Sequence, residues 1–261
     1  MKLSPKVVIL AGGRGTRLAE ETESRPKPMV EIGDRPILWH IMKLYAARGF
    51  TEFALALGYK GHLIKRYFLD EVHLTGDLTI ETAKAQVSTR RSAEENWTIH
   101  LRDTGQETST GGRLKRLAPL LRGGTFFLTY GDGVSDVPID RVFDFHQRHG
   151  RLATITAVRP PARFGGVVFE GDMVKEFVEK PQIGEGWING GFIVFEPAVL
   201  DMITGDSASL ESQLLEELAQ REQLAAYRHE GFWQCMDTIR DRHLLQSLWD
   251  SGNPPWKIWQ P

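Results

Sequence analysis

Lys6-Val7-Val8-Ile9-Leu10-Ala11-Gly12-Gly13-Arg14-Gly15-Thr16-Arg17 is the stretch from which the architecture follows. A short β-branched apolar run that stops at a glycine pair is the pattern of a buried strand running out into a loop. Asp34 then precedes Ile37, Leu38, Ile41, Leu44 and Tyr45 at helical spacing, and Gly49 follows as a stop. This predicts an amphipathic helix over about 35–48, with Asp34 at its start. Phe53–Leu57 reads as a second strand, and Gly58–Gly61 turns into a helix at about 62–70. Strand, helix, strand, helix in that order builds a mostly parallel sheet with helices on its faces.

Farther along, Trp97–Leu101 reads as a strand and Arg113–Leu121 as a helix, and Thr125–Tyr130 as a buried strand ended by Gly131-Asp132-Gly133. Leu152–Val158 continues the sheet. Val167–Glu170 and Met173–Glu179 alternate on either side of Gly171-Asp172, which predicts a small β-hairpin inserted into the α/β core. Helices near 209–220 and 238–250 close the chain, with Leu210, Leu214, Leu215 and Leu218 expected to serve as core or interface. The tail Gly252-Asn253-Pro254-Pro255-Trp256 is rich in helix breakers, and its tryptophans are expected to pack on the body or on a neighbouring subunit. The expected fold is α/β, a Rossmann-like, mostly parallel mixed sheet flanked by helices, in a single domain over 1–261.

Among 261 residues, 32 Lys and Arg against 34 Asp and Glu leave a net charge of −2, which argues against a nucleic-acid partner. The hydrophobic share of 41% and charged share of 25% are those of an ordinary soluble globular protein. Cys235 is the only cysteine, so no internal disulfide forms and a packing role is expected. No apolar run approaches the roughly 20 residues of a membrane span, and the first residues lack a signal-peptide pattern. A cytoplasmic protein with no membrane partner is expected.

Ligands of open α/β sheets bind just beyond the carboxyl ends of strands, which directs attention to loops 11–17 and 131–133. In Leu10-Ala11-Gly12-Gly13-Arg14-Gly15-Thr16-Arg17 the glycines allow backbone N–H groups to approach phosphate oxygens. Thr16, Arg17 and Lys27, the last within Arg25-Pro26-Lys27-Pro28-Met29, add donors and positive charge suited to a triphosphate. The loop lacks the third glycine of the dinucleotide fingerprint and the G-K-[ST] ending of a Walker A loop. Taken alone, a glycine loop with no ligand accounts for it equally well. An Asp between glycines, as at Asp132, is by itself commonly a turn former.

Other candidates reduce to structure. His146 and His149 lie three apart without a third ligand, so a solvated helix face is expected. Ser24, Ser109 and Ser135 sit in no nucleophile elbow, which disfavours hydrolysis. Lys115 and Arg116 are expected simply to be exposed on their helix.

The combination of Gly-Gly-x-Gly-Thr-Arg-Leu with Arg25-Pro26-Lys27-Pro28-Met29 resembles the signature of the sugar-1-phosphate nucleotidylyltransferases. Val30-Glu31-Ile32-Gly33, Gly58-Tyr59-Lys60-Gly61, Thr110-Gly111-Gly112-Arg113, Tyr130-Gly131-Asp132-Gly133, Arg163-Phe164-Gly165, Glu179-Lys180-Pro181, Ile188-Asn189-Gly190-Gly191-Phe192 and Gly231-Phe232-Trp233-Gln234 with Met236-Asp237-Thr238 follow in order. They resemble the glucose-1-phosphate cytidylyltransferase branch in particular and cover nearly the whole chain.

The resemblance implies transfer of a cytidylyl group from CTP to α-D-glucose 1-phosphate, giving CDP-glucose and pyrophosphate. It implies a nucleotide-binding half over about 1–135, a sugar-phosphate half over about 136–240, and a C-terminal helix and tail over about 241–261. Leu10, Ala11, Gly12, Gly13, Arg14, Gly15, Thr16, Arg17, Lys27, Arg113 and Gly131 would line the nucleotide, with Thr108 and Thr110 toward the pyrimidine. Lys180 would hold the sugar phosphate, and Gly165, Glu179, Asn189 and Gly190 would face the sugar. Asp132 and Asp237 would converge on Mg²⁺, a pairing that the residues alone do not suggest. Arg17, Lys27, Asp132, Lys180 and Asp237 would then carry catalysis.

A homo-oligomer, up to a hexamer, and a route to surface-polysaccharide O-antigen sugars belong to the same implication. Arg14 stands where the branch commonly has leucine, Leu210-Glu211-Ser212-Gln213-Leu214-Leu215 replaces a more polar segment containing proline, and residues 81–96 look unconstrained. Two alternatives stay open: a UTP- or dTTP-dependent enzyme on the same scaffold, and a non-catalytic regulatory subunit.

Overall fold

In a computed structural model, which describes residues 4–90, 95–160, 166–170, 173–178 and 186–259, Val7–Ala11 is a strand with all five residues buried. It is central because both neighbours pair with it in parallel. Glu52–Leu57 sets Leu57 opposite Ala11, and Phe126–Tyr130 sets Tyr130 opposite Leu10. Burial on both faces is why this segment is continuously apolar rather than alternating. Thr98–Asp103 extends the sheet in parallel from Glu52–Leu57. On the other side Ile193–Phe195 runs antiparallel between Phe126–Tyr130 and Ala153–Val158. Ala153–Val158 also takes Ile188–Asn189 antiparallel and Leu224–His229 parallel. The result is the mixed, mostly parallel sheet that the sequence predicts.

Successive residues of the central strand feed two cores. Val7 and Ile9 pack with Ile37, Ile41, Tyr45, Phe53 and Phe127. Val8 and Leu10 pack with Leu114, Leu121, Leu128, Leu210 and Leu218. The leucines of 210–218 are thus core. Trp256, wholly buried, stacks on Phe232 and Trp249, and its indole N–H lies 3.4 Å from His40 Nδ1. The tail is therefore packed on the body of its own chain. Among the described residues no helix is long and apolar enough to cross a membrane.

Several local expectations need correction. The first long helix is Ile37–Ala46, and Asp34 does not cap it; Pro36 occupies that position without a side-chain bond. Glu31–Ile32 and Arg35–Pro36 pair as a minimal ladder, so Asp34 belongs to the turn between them. The helix expected over 113–121 is two pieces, Thr110–Arg116 and Ala118–Leu121. Pro119, which has no N–H to continue the ladder, explains the break. The segment expected as a helix from 209 opens as a π-helix over Leu210–Leu215 before Glu216–Gln220 turns α-helical. Part of the stretch expected to be unconstrained is a hairpin, with Asp77–Glu81 antiparallel to Gln86–Arg90. The predicted hairpin forms from Gly166–Glu170 and Met173–Val178.

His146 is also not on a solvated face. Ile139, Val142 and His146 form the buried side of helix Ile139–His149. The His146 ring is 2.8 Å from Thr154 Oγ1 and 3.1 Å from Glu196 Oε1. Their spacing was a core signal hidden by the polarity of the imidazole.

Candidate active site

Two loops meet at the carboxyl end of the sheet because their strands are parallel and in register. Gly131 N–H donates to Leu10 O at 3.1 Å, and a side chain at Gly131 would lie 2.9 Å from both Leu10 O and Pro28 Cγ. The glycine is required for that approach, and it delivers Asp132 to the mouth of the first loop. Gly15, with φ of +63°, lets the loop lie against Lys27, whose Cβ would be 3.1 Å from a Cβ at that position.

Asp237 arrives by a separate route. Gly133–Ser135 pairs antiparallel with Trp233–Cys235, Gly133 opposite Cys235, and Met236 N–H then donates to Asp132 O at 2.8 Å. Thr238 caps helix Ile239–Asp250 in a capping box with Asp241. Asp241 Oδ2 also accepts from Asp237 N at 3.1 Å and from Thr238 N at 2.9 Å. The backbone under both carboxylates is therefore fixed before any ligand is considered.

Between them lies Lys27, on a short turn flanked by Pro26 and the buried Pro28. Its Nζ donates to Asp132 Oδ2 at 2.7 Å and to Asp237 Oδ1 at 2.5 Å, while Arg17 Nη1 donates to Asp237 Oδ2 at 2.8 Å. Burial alone would lower the Lys27 pKa, but the two carboxylates outweigh it and the net direction is upward. A fixed positive charge thus stands at the centre of the site. The Arg17 side chain is 77% exposed against 12% for Lys27, so Arg17 is the more accessible of the two cations lining the cleft. Burial, and then the charges of Asp237 and Asp132, push the Cys235 thiol up to about 12, which removes it as a nucleophile.

Two carboxylate oxygens converging on one ammonium are hard donors spaced for a single small cation, and phosphate oxygens and water complete such a set for Mg²⁺. Among the described residues no group of three or more His, Cys, Asp or Glu could hold a metal by itself.

These side chains border a cleft of about 460 Å³. Leu10, Ala11, Gly12, Gly13, Gly15, Thr16, Arg17, Lys27, Thr108, Thr110, Arg113, Gly131, Asp132 and Asp237 all line it. Arg14 is not among the lining residues and pairs instead with Glu107. Asn189 and Gly190 are also not among the lining residues, but the Asn189 side chain bonds Tyr130, which is. Asn189 Oδ1 accepts from Gly191 N at 3.0 Å, and Gly190 bonds Thr156 O and the Trp233 indole at 2.8 Å each. Gly165, Glu179 and Lys180 lie outside the described residues.

Arg113 borders the cleft, yet its guanidinium is turned onto the protein. It donates to Leu57 O, Gly105 O, Gly12 O, Gln106 O and Thr104 Oγ1 at 2.7–3.1 Å. It is a strut that ties the glycine loop to the two neighbouring strand ends. Lys115 and Arg116 are exposed as expected, but Lys115 bonds Ile203 O and Arg116 forms a two-pronged pair with Asp206. Tyr130, which lines the cleft, and Glu211 and Asp241, which bond groups on its wall, were not singled out from the sequence. Only Asp241 carried a legible signal, the Thr238-x-x-Asp241 capping pattern.

The sequence matches the family described as Nucleotidyl transferase over residues 6–241. A glucose-1-phosphate cytidylyltransferase of Salmonella typhi is 48% identical over 256 residues, covering 98% of this chain and 100% of that one. A probable glucose-1-phosphate cytidylyltransferase of Bacillus subtilis is 41% identical, covering 97% and 100%. The crystal structure of HddC from Yersinia pseudotuberculosis superposes with a TM-score of 0.67 at 22% identity, covering 94% of this chain and 99% of that one, a likeness of fold.

Proposed function

Because the chain belongs to the nucleotidyl transferase family, we propose that it transfers the cytidylyl group of CTP to α-D-glucose 1-phosphate, giving CDP-glucose and pyrophosphate. The observation that carries the chemistry is the bridge of Lys27 between Asp132 and Asp237 at the mouth of a glycine loop. The full-length cytidylyltransferase relatives support the choice of nucleotide and sugar.

Two anions must be brought together, so the site has to suppress their repulsion and align them. Arg17 and Lys27 hold the nucleotide phosphates, and the backbone N–H groups of the glycine loop add neutral donors. A phosphate oxygen of glucose 1-phosphate attacks the α-phosphorus in line, and the bond from that phosphorus to the bridging oxygen of pyrophosphate breaks. The nucleophile is already ionised, so no side chain has to remove a proton. Asp132 and Asp237 would hold Mg²⁺, which when bound would supply positive charge beside the reacting phosphate. Lys180 positions the sugar phosphate, Gly165, Glu179, Asn189 and Gly190 face the sugar, and Thr108 and Thr110 lie toward the base. On this reading residues of about 1–135 serve the nucleotide and those of about 136–240 the sugar phosphate. A homo-oligomer is part of the proposal, supported by the exposed apolar side chains Leu69, Val72, Leu74, Ile80 and Val87.

The test is pyrophosphate release with Mg²⁺ and glucose 1-phosphate against CTP, UTP, dTTP, ATP and GTP. Preference for CTP is expected. Preference for another nucleotide overturns the cytidylyl assignment, and no release with any pair favours a regulatory subunit.

A further inference from the structure

The residues lining the cleft are of two chemical kinds. Arg17, Lys27, Asp132 and Asp237 are one bonded charged group, and Leu10, Thr108, Ser109, Thr110 and Tyr130 are uncharged. Arg113 turns both terminal nitrogens of its guanidinium onto four carbonyls and the Thr104 hydroxyl. A nucleotide whose phosphates take the charged group leaves its base to the hydroxyl-bearing residues.

The hydroxyls there have a defined polarity. Thr110 Oγ1 accepts the Leu210 N–H at 2.9 Å and donates to Glu211 Oε2 at 2.8 Å. A hydroxyl has one proton and two lone pairs, and an ionised carboxylate only accepts. With its proton and one lone pair engaged, Thr110 offers the cleft a single lone pair and no donor. Tyr130 is held likewise, donating to Glu211 Oε1 at 2.8 Å. Ser209 Oγ donates to Glu211 Oε2 at 3.0 Å, making three hydroxyl protons gathered on one side chain.

Glu211 is exposed, and its position is set by the segment that carries it. It lies in the π-helix, whose Leu210, Leu214 and Leu215 are buried and whose cap Ser209 accepts from Ser212 N. The preceding segment lies directly on helix Thr110–Arg116, where Ser109 N donates to Asp206 O at 2.8 Å and Gly112 N to Ala208 O at 3.1 Å. A side chain at Gly111 would come within 2.8 Å of Ala208 O, so Gly111 is needed for this close packing.

We infer that Glu211 is a positioning residue for nucleotide choice, which by taking the protons of Thr110 and Tyr130 makes the base end of the cleft an acceptor surface. Such a surface accepts from the exocyclic amine of cytosine and repels the carbonyl oxygen that uracil and thymine carry at the same ring position. The inference rests on the proposed cytidylyl transfer and adds the device that selects its base.

The experiment measures kcat/KM for CTP and for UTP in the wild type and in Thr110→Val, Thr110→Ser and Glu211→Gln, with KM for glucose 1-phosphate and thermal unfolding as controls. Thr110→Val is expected to lower the CTP-over-UTP ratio by about tenfold or more through KM for CTP, because the amine of the base would lose its acceptor in the cleft. Glu211→Gln, whose amide can donate to Thr110 and release its proton toward the cleft, should lower the ratio similarly, and Thr110→Ser should preserve it. Ratios within about threefold of wild type in both Thr110→Val and Glu211→Gln, or proportional losses with both nucleotides, overturn the inference while a CTP-preferring wild type leaves the activity standing. A wild type that prefers another nucleotide overturns both. If Glu211→Gln does not fold, Thr110→Val decides alone.

Discussion

Arg113 occupies the space that a side chain on Gly12 would need, and its Nη2 donates to the Gly12 carbonyl at 3.1 Å. The glycine and the arginine, far apart in sequence, are one structural unit that sets the shape of the first loop. Arg113→Ala would take the arginine donor from Gly105 O and Gln106 O, and leave Leu57 O and Gly12 O with only the donors of Thr104 and Tyr59, and is expected to cost about 2 kcal/mol or more in denaturant unfolding. Arg113→Lys should not restore it, because a point ammonium cannot span five acceptors arranged around a planar fork. Gly12→Ala should lower turnover by about tenfold or more by displacing the same guanidinium. Unchanged stability in Arg113→Ala would contradict the strut.

Asp132→Asn and Asp237→Asn are each expected to lower turnover by about 10²-fold or more, since each weakens the charge balance at the reacting phosphate. EDTA should abolish activity and Mg²⁺ restore it. The thermal stabilisation given by CTP with Mg²⁺ should shrink in both variants, which checks binding independently of turnover. Wild-type rates in either variant, or full activity in EDTA, would remove the pair from the mechanism.

Lys180→Ala should raise KM for glucose 1-phosphate more than KM for the nucleotide. Steady-state kinetics with each substrate varied separates the two. The reverse pattern would mean that Lys180 serves the nucleotide phosphates, and Arg17 or Lys27 would then have to hold the sugar phosphate.

Stability should fall on acidification because of buried imidazoles. His40 is wholly buried, and burial lowers its pKa from 6.5 to about 4. Its Nε2 lies 2.9 Å from Ile32 O, and its Nδ1 faces the Trp256 indole N–H, an arrangement that needs the neutral ring. The unfolded chain binds this proton more readily than the folded one. The contribution is therefore complete above about pH 6.5 and is lost as pH falls toward 4, by roughly 3 kcal/mol in all. His146, lowered chiefly by burial, acts in the same direction. Urea unfolding between pH 7.5 and 5 reads this, and His40→Gln should flatten the slope. A stability independent of pH across that window would contradict it.

The order of strands and helices was legible because each signal is local. The Val7–Ala11 run, the stop at Gly49 and the abrupt end of Phe126–Tyr130 at Gly131 are set by side chains within a few residues of one another. The errors have a different origin. Asp34 looked like a cap because capping residues and turn residues are the same types, and the choice was made by the pairing of Glu31–Ile32 with Arg35–Pro36. His146 looked solvated because imidazole is polar, whereas Thr154 and Glu196 supply partners from across the sheet.

By itself, then, the sequence determined a mostly parallel α/β sheet, a glycine loop at the carboxyl end of its first strand, and the residue types available for anion chemistry there. Those follow from periodicity and backbone preference, which act over a few residues. Only the tertiary structure decided which of these groups meet. Asp237 reaches Asp132 because Trp233–Cys235 pairs with Gly133–Ser135, Arg113 turns inward because Gly12 leaves it room, and Glu211 meets Thr110 and Tyr130 because a π-helix lies on the first turn of their neighbour. Hydrogen-bond direction and charge balance are properties of spatial neighbours, and here those neighbours come from distant parts of the chain.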